Sequence, residues 1–229
     1  MRGQAPLALP PPAGVAHWGE DTPFGIKVMA AIGSANQAFL MLAAALHGSR
    51  PEQPVLGLSG RLVSDICRVA VGPAALALPF SLYDLRFRDE RFWRQQISAS
   101  RSVNDSTPTA GTDVRVSRFA RTAVTLAWHF SQSEPRAARL SLGIEAPIQE
   151  MLGTLPIGAL DTLASRVAGA VAARFCTRER FWSLVTAALR FGPDPSGTER
   201  LTLLGLQLLG ADSARVQQIH RRQRRITHA

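Results

Sequence analysis

Apolar side chains recur along most of the chain at the spacing of helices. Between Phe24 and Leu46 they return every three or four residues, which is typical of an amphipathic helix. Similar stretches are predicted at 59–71, 73–83, 89–99, 114–131, 145–153, 156–173, 178–190, 198–209 and 212–225. Long alternating runs of Val, Ile and Thr, the pattern of strands, are missing, and Ala, Leu and Arg, which dominate, are good helix formers. The sequence therefore predicts an all-α fold.

Two stretches without helical periodicity divide the chain. Residues 1–24 are rich in Pro, Gly and Ala, which predicts a flexible arm. Residues 100–113 are polar, with almost no apolar side chain, which predicts a linker. Two helical modules are therefore expected at 25–99 and 114–195, followed by a basic unit at 196–229.

The same order of features occurs on both sides of the predicted linker. Leu56-Gly57-Leu58 leads through two apolar helical stretches to a charged turn and then to Phe92-Trp93. Leu142-Gly143-Ile144 leads in the same way to Phe181-Trp182. The parallel predicts a duplication, with two related modules in tandem packed as a pseudo-dimer about a pseudo-twofold axis.

The chain is strongly basic, with a formal charge of +9 and a pI of about 11.3. Lys27 is the only lysine, so nearly all of the positive charge is arginine. A GC-rich genome would explain Arg in place of Lys, but not the excess of cations over acids. The planar guanidinium suits phosphate and guanine edges. The composition therefore indicates a polyanion, an acidic protein or an anionic membrane as partner.

The C-terminal segment predicts a helix-turn-helix. Gly210 would form the tight turn, because glycine reaches positive φ without steric cost. Asp212 or Ser213 would cap the second helix by accepting hydrogen bonds from its free backbone amides. The residues expected on the inner faces are Gly205, Leu206, Leu209, Val216 and Ile219. This spacing is typical of a DNA-reading motif.

Two sets of side chains are expected to contact DNA. The residues expected near base edges are Ser213, Gln217, Gln218 and Arg221. The residues expected to hold phosphates are Arg215, Arg222, Arg224 and Arg225. Glutamine can bond adenine and arginine can bond guanine, whereas phosphate contacts orient the helix. The alternatives are a tail that binds phosphates without reading sequence and a plain two-helix packing corner.

Four aromatic residues follow the two charged turns: Phe92, Trp93, Phe181 and Trp182. They are candidates for a partner interface, because exposed aromatic side chains concentrate binding energy. The alternative is that they anchor the core.

No catalytic or metal site is predicted. The five histidines are scattered, and Cys67 and Cys176 form no CxxC pair, so neither a zinc site nor a disulfide framework is indicated. A Gly-x-Ser-x-Gly elbow and a Gly-rich phosphate loop with its lysine are also missing. We therefore expect no cofactor and no enzymatic activity.

A further set of features occurs in each half of the chain. In the first half they are the helix at 36–42, the Leu-Gly-Leu at 56–58 and the short stretch at 85–88. In the second half they are the stretches at 138–144 and 152–163. With these features each half resembles FlhD, the smaller subunit of the bacterial flagellar master activator, and the second half is the closer match. The duplication, the Pro-rich arm and the longer C-terminal extension depart from the flagellar form.

The resemblance implies a helical DNA-binding transcriptional activator that works in a hetero-oligomer. Its expected partners are double-stranded DNA, an FlhC-like zinc-binding subunit and RNA polymerase, and its targets would be flagellar or mobile-element transfer genes. The alternative is a helical adaptor or assembly subunit that docks an acidic protein through its basic tail. The N-terminus lacks the continuous apolar stretch of a signal peptide, and we expect no membrane-spanning segment after it. A cytoplasmic, nucleoid-associated protein without a membrane role is expected.

Overall fold

The computed structural model describes residues 25–49, 53–69, 78–101, 112–191 and 195–227. At positions 101, 195, 213, 215–217 and 219–227 it describes the backbone alone. The predicted arm at 1–24 and most of the predicted linker at 100–113 lie outside the described residues.

Helices make up most of the described chain, which confirms the predicted helical fold class. They are α1 (Ile26–His47), α2 (Gly60–Cys67), α3 (Glu90–Arg101), α4 (Val114–Ser133), α5 (Pro135–Ala137), α6 (Ala146–Gly153), α7 (Leu160–Val167), α8 (Glu179–Phe191) and α9 (Pro195–Thr227). A π-helical turn follows α5 at Ala138–Leu142, and 3₁₀ turns flank α7 at Ile157–Ala159 and Ala168–Ala170. Two short strands, β1 (Tyr83–Asp84) and β2 (Ala172–Ala173), form an antiparallel pair that the periodicity did not predict.

Side-chain caps help to fix where several helices begin. The hydroxyl of Ser59 accepts a hydrogen bond from the backbone amide of Leu62 at the start of α2. The carboxylates of Asp89 and Asp113 accept bonds from backbone amides in the first turns of α3 and α4. Such caps satisfy amides that have no partner inside the helix.

Two predicted helices differ from the structure. Of the stretch 73–83, only residues from Leu78 onward are described, and these run irregularly into β1. Pro79 explains this in part, because proline lacks an amide donor and disfavours helical backbone at the residue before it. The stretch 156–173 is broken by the two 3₁₀ turns, so α7 is shorter than predicted and its C-terminal end leads into β2.

The buried apolar residues of the described chain form one continuous core. α1 packs on α2 and α4, and α4 packs on α6 and α7. Helices also cross the predicted linker, since α3 packs on α6 and α7 and α8 packs on α2. Near the centre the ring of Phe39 lies 5.6 Å from that of Phe119 and 6.5 Å from that of Trp182, between centroids. Both sides of the linker therefore contribute to the same core.

Several backbone features recur at matching positions on the two sides. α2 and α6 are each eight residues long, and each follows a glycine with positive φ, Gly57 at 85° and Gly143 at 71°. β1 and β2 are each followed by a non-glycine residue with positive φ, Arg86 at 56° and Phe175 at 55°. α3 and α8 then begin after turns of the same kind.

The strand pair has a reciprocal register. Tyr83 lies opposite Ala173 and Asp84 lies opposite Ala172. Each strand ends two residues before the residue with positive φ on its own side, Arg86 or Phe175. The two strands that pair are therefore the segments at matching positions of the two sides.

α1 is long and apolar enough to cross a membrane by length and composition, and in the part of the chain that the structure describes no other helix meets that test. In its most apolar window 44% of the residues are buried inside the protein. They include Ile32, Phe39 and Ala43. Part of the apolar surface of α1 is thus used for packing, whereas Ile26 and Met41 are exposed.

Replacing Gly143 with alanine is expected to destabilise the fold. The residue has φ of 71°, where a side chain is strained, and the added methyl group would overlap the buried guanidinium of Arg174. We expect the free energy of unfolding to fall by more than about 1 kcal/mol, which is the cost of left-handed backbone for a non-glycine residue. Urea unfolding measures this. Gly158→Ala is the control, because Gly158 is exposed with no atom close to the new methyl group, and equal losses in both variants would contradict the prediction.

Candidate nucleic-acid interface

The basic C-terminal segment forms a single helix. α9 runs without interruption from Pro195 to Thr227, so the predicted turn at Gly210 and the helix-turn-helix are wrong. Gly210 is exposed, has open space where a side chain would stand, and is not among the glycines with positive φ. One glycine costs a helix about 1 kcal/mol, and the Leu, Gln, Ala and Arg residues around it favour helix. The segment therefore continues through Gly210.

The first half of α9 is held on the core by one face. Leu201, Gly205 and Leu209, each four residues apart, are buried on that face. The ring of Phe80 lies so close to Gly205 that a side chain there would overlap it. Glycine thus lets the helix backbone rest on the aromatic ring. Leu206, predicted on the inner face, is 38% exposed, and that assignment is wrong.

An ion pair holds α9 one turn further along. The Arg88 guanidinium lies 2.9 Å from the Asp212 carboxylate, measured from Nη1 to Oδ2. Because both side chains are partly exposed, the pair contributes about 1 kcal/mol at most. Asp212 therefore serves as a tether between α9 and the turn before α3 and does not cap a second helix. We call Phe80 and Arg88, with the residues of α9 that contact them, the α9 seat.

The segment that carries Phe80 is itself fixed by buried polar groups. The Asn36 side chain donates to the backbone oxygen of Phe80 at 2.9 Å and accepts from the amide of Leu82 at 2.7 Å. The Arg174 guanidinium donates to the hydroxyl of Ser81 and to the backbone oxygen of Ser141, both at 3.0 Å. These bonds supply partners for a buried stretch that has no helical ladder of its own.

Arg174 is a buried cation near the α9 seat. Burial lowers the pKa of its guanidinium to about 10, whereas the carboxylates of Asp84 and Asp212 raise it and Arg88 lowers it. The side chain therefore stays charged at neutral pH. Burial also raises the pKa of the neighbouring Tyr83 phenol well above its usual range. Asp212 thus acts on two cations, one by direct contact and one through its field.

The aromatic residues predicted for a partner interface are mostly core residues. Trp93, Phe181 and Trp182 are fully buried or nearly so, which makes their assignment to a partner surface wrong. Each indole satisfies its N–H internally, since Trp93 Nε1 donates to the backbone oxygen of Arg86 and Trp182 Nε1 to that of Arg174. Phe92 is half-buried beneath the Arg86 guanidinium, whose carbon lies 4.7 Å from the ring centroid.

The residues predicted to contact DNA all lie in the second half of α9. They are Ser213, Arg215, Gln217, Gln218, Arg221, Arg222, Arg224 and Arg225. Gln218 is exposed, and the other seven side chains lie outside the described residues. Positions 215, 218, 222 and 225 follow the three- and four-residue spacing that places them along one side of a helical backbone.

Sequence reasoning missed the residues that hold α9. Phe80, Asn36 and Arg174 lie in three different elements or loops, and only the fold brings them together. Gly205 within a helical pattern was an available signal, because an internal glycine often marks a close approach.

Among the described residues no group of three or more His, Cys, Asp and Glu side chains is placed to hold a metal ion.

Comparison with protein-family models, with curated proteins and with solved structures gives no match. The likeness to FlhD stays a prediction from the residues.

Replacing Gly205 with alanine is expected to lift α9 from its seat. The new methyl group would overlap the buried ring of Phe80, which also packs at 6.1 Å, between centroids, on the ring of Phe181. Backbone amides of α9 should then exchange hydrogen at least tenfold faster, as measured by mass spectrometry.

Gly210→Ala is the matched control on the same helix. It meets open space and should stabilise α9, since alanine favours helix by about 1 kcal/mol over glycine. Unchanged exchange in the Gly205 variant would contradict the seat. Destabilisation by the Gly210 variant would instead support the turn that the sequence predicted at Gly210.

Proposed function

We propose that the chain is the DNA-binding subunit of a transcription-activating complex and that the second half of α9 contacts the duplex. The observation that carries the proposal is the continuity of α9 beyond its seat. The helix is held as far as Asp212, and its backbone continues helically to Thr227. Residues 213–229 contain five arginines and no acidic residue.

A single helix of this kind suits the major groove. A helix with its side chains is about 10–12 Å across, and the groove is about 12 Å wide. Residues 213–227 would span about 22 Å at the helical rise. Arginines along that length would neutralise phosphates, and Gln217 and Gln218 would offer paired donors and acceptors to base edges.

We further infer that the core arose by tandem duplication, with modules at 25–99 and 114–195. The matched lengths of α2 and α6, the paired positive-φ residues and the reciprocal register of β1 and β2 support this. A reciprocal register is what a twofold axis between identical segments would give. The inference agrees with the resemblance of each half to FlhD.

On that resemblance we propose an FlhC-like zinc-binding subunit as the partner, with RNA polymerase as the later target of the complex. The regulated genes would be flagellar or mobile-element transfer genes. The protein would then act in the cytoplasm, at the nucleoid.

A helical adaptor that docks an acidic protein is the second candidate. Leu203 and Leu206, on the seated half of α9, are 54% and 38% exposed, which favours a protein contact beside the basic end. The two functions differ in what the arginines would meet. If they meet phosphates, the affinity for DNA falls steeply with salt, by an amount set by the number of contacts. The following variant measures this dependence.

The variant Arg215→Gln, Arg222→Gln, Arg225→Gln is expected to weaken DNA binding in a salt-dependent way. Each lost phosphate contact makes the negative slope of log K against log salt shallower by about 0.9, so the three together should make it shallower by about 2.7. Fluorescence anisotropy with a mixed-sequence duplex measures the slope.

The control variant removes equal charge from exposed arginines elsewhere, at Arg136, Arg139 and Arg180. Its slope should stay that of the unmodified chain. Equal slopes for all three proteins would contradict DNA binding through α9 and favour the adaptor.

A further inference from the structure

The C-terminal helix breaks the twofold match of the core. α8 is followed by the 33 residues of α9, whereas its counterpart α3 ends at Arg101 and α4 begins at Val114. Residues 102–113, which separate α3 from α4, contain two aspartates and no lysine or arginine. The sequence between α3 and α4 therefore carries no cationic side chains to match those of α9.

The α9 seat also occurs on one side only. The alignment that matches Tyr83 with Ala172 and Trp93 with Trp182 places Gly169 opposite Phe80. Gly169 has no ring to support a helix, and no atom lies within 4 Å of where its side chain would stand. A helix placed by the twofold axis on the other side would thus lack the aromatic contact.

The ion pair of the seat is likewise unmatched. In the same alignment Thr177 stands opposite Arg88. Threonine carries no charge, so it could not pair with a carboxylate as Arg88 pairs with Asp212. The contacts of α9 with Phe80 and with Arg88 are therefore both present on one side of the core and lack a counterpart on the other.

We propose that each chain engages a single, non-palindromic DNA element through one helix. This inference rests on the proposed DNA-binding function. The pseudo-dimeric core supplies symmetry to the protein, but the DNA-contacting element is present once. The five arginines of α9 beyond Asp212 would neutralise at most about five phosphates, which gives a salt slope near −4.5 for one such helix.

A duplex-length series with the full chain tests the proposal. One helix of about 22 Å covers about seven base pairs. Two helices bound one DNA turn apart would need roughly ten base pairs more. Equilibrium binding is measured on mixed-sequence duplexes of increasing length, at several salt concentrations, by anisotropy.

The expected result is saturation at short duplexes. Once a duplex exceeds about ten base pairs, affinity should rise only in proportion to the number of positions at which the helix can bind. The slope of log K against log salt should be no steeper than about −4.5. The variant Arg215→Gln, Arg222→Gln, Arg225→Gln should lose most of that slope.

Two results would overturn the inference, and they are distinguishable. A further gain of tenfold or more between about ten and twenty base pairs, with a slope near −9, would mean that two helices engage a two-part site. That result would agree with the DNA-binding function and contradict binding through a single helix. No binding at any length in low salt would refute the DNA-binding function, and the inference with it.

Discussion

The segment from Phe80 to Asp84 is the point on which the rest of the structure depends. It lacks a helical ladder, so its polar backbone groups take partners from outside. Asn36 and β2 provide them, and Arg174 binds the hydroxyl of Ser81. The same segment places the ring of Phe80 beneath Gly205. The same segment therefore connects the two sides of the core, through the pairing of β1 with β2, and supports the C-terminal helix, through Phe80.

In the proposed duplication, a matched core carries an unmatched C-terminal extension. β1 and β2 meet in a reciprocal register, and the helices before and after them pack across the joint. The seat instead uses Phe80 and Arg88, for which the other side has Gly169 and Thr177. The partly exposed Arg88–Asp212 pair adds about 1 kcal/mol at most to the seat. In the proposed function, the core would orient one basic helix relative to the duplex.

Helical periodicity predicted the positions of α1, α4 and α8, since an apolar face repeats over many turns in each. It failed at Gly210, because a glycine that ends a helix and one that a long helix tolerates look alike in sequence. Strands of two residues are too short to show alternation, so β1 and β2 could not be predicted. Trp93 and Trp182 follow charged residues, which does not reveal whether their rings point inward. Gly205 acquires its role only when Phe80, distant in sequence, lies against it.

The central claim is that a continuous helix extends from the seat into the basic end. Spin labels at the exposed positions 203 and 218, in full-length chain whose Cys67 and Cys176 are replaced by Ser and Ala, test it by pulsed electron paramagnetic resonance. Fifteen residues of unbroken helix separate the two backbone positions by about 22 Å. A narrow distance distribution near that value is the predicted result. A clearly shorter distance would mean that the chain turns near Gly210, which would contradict the account.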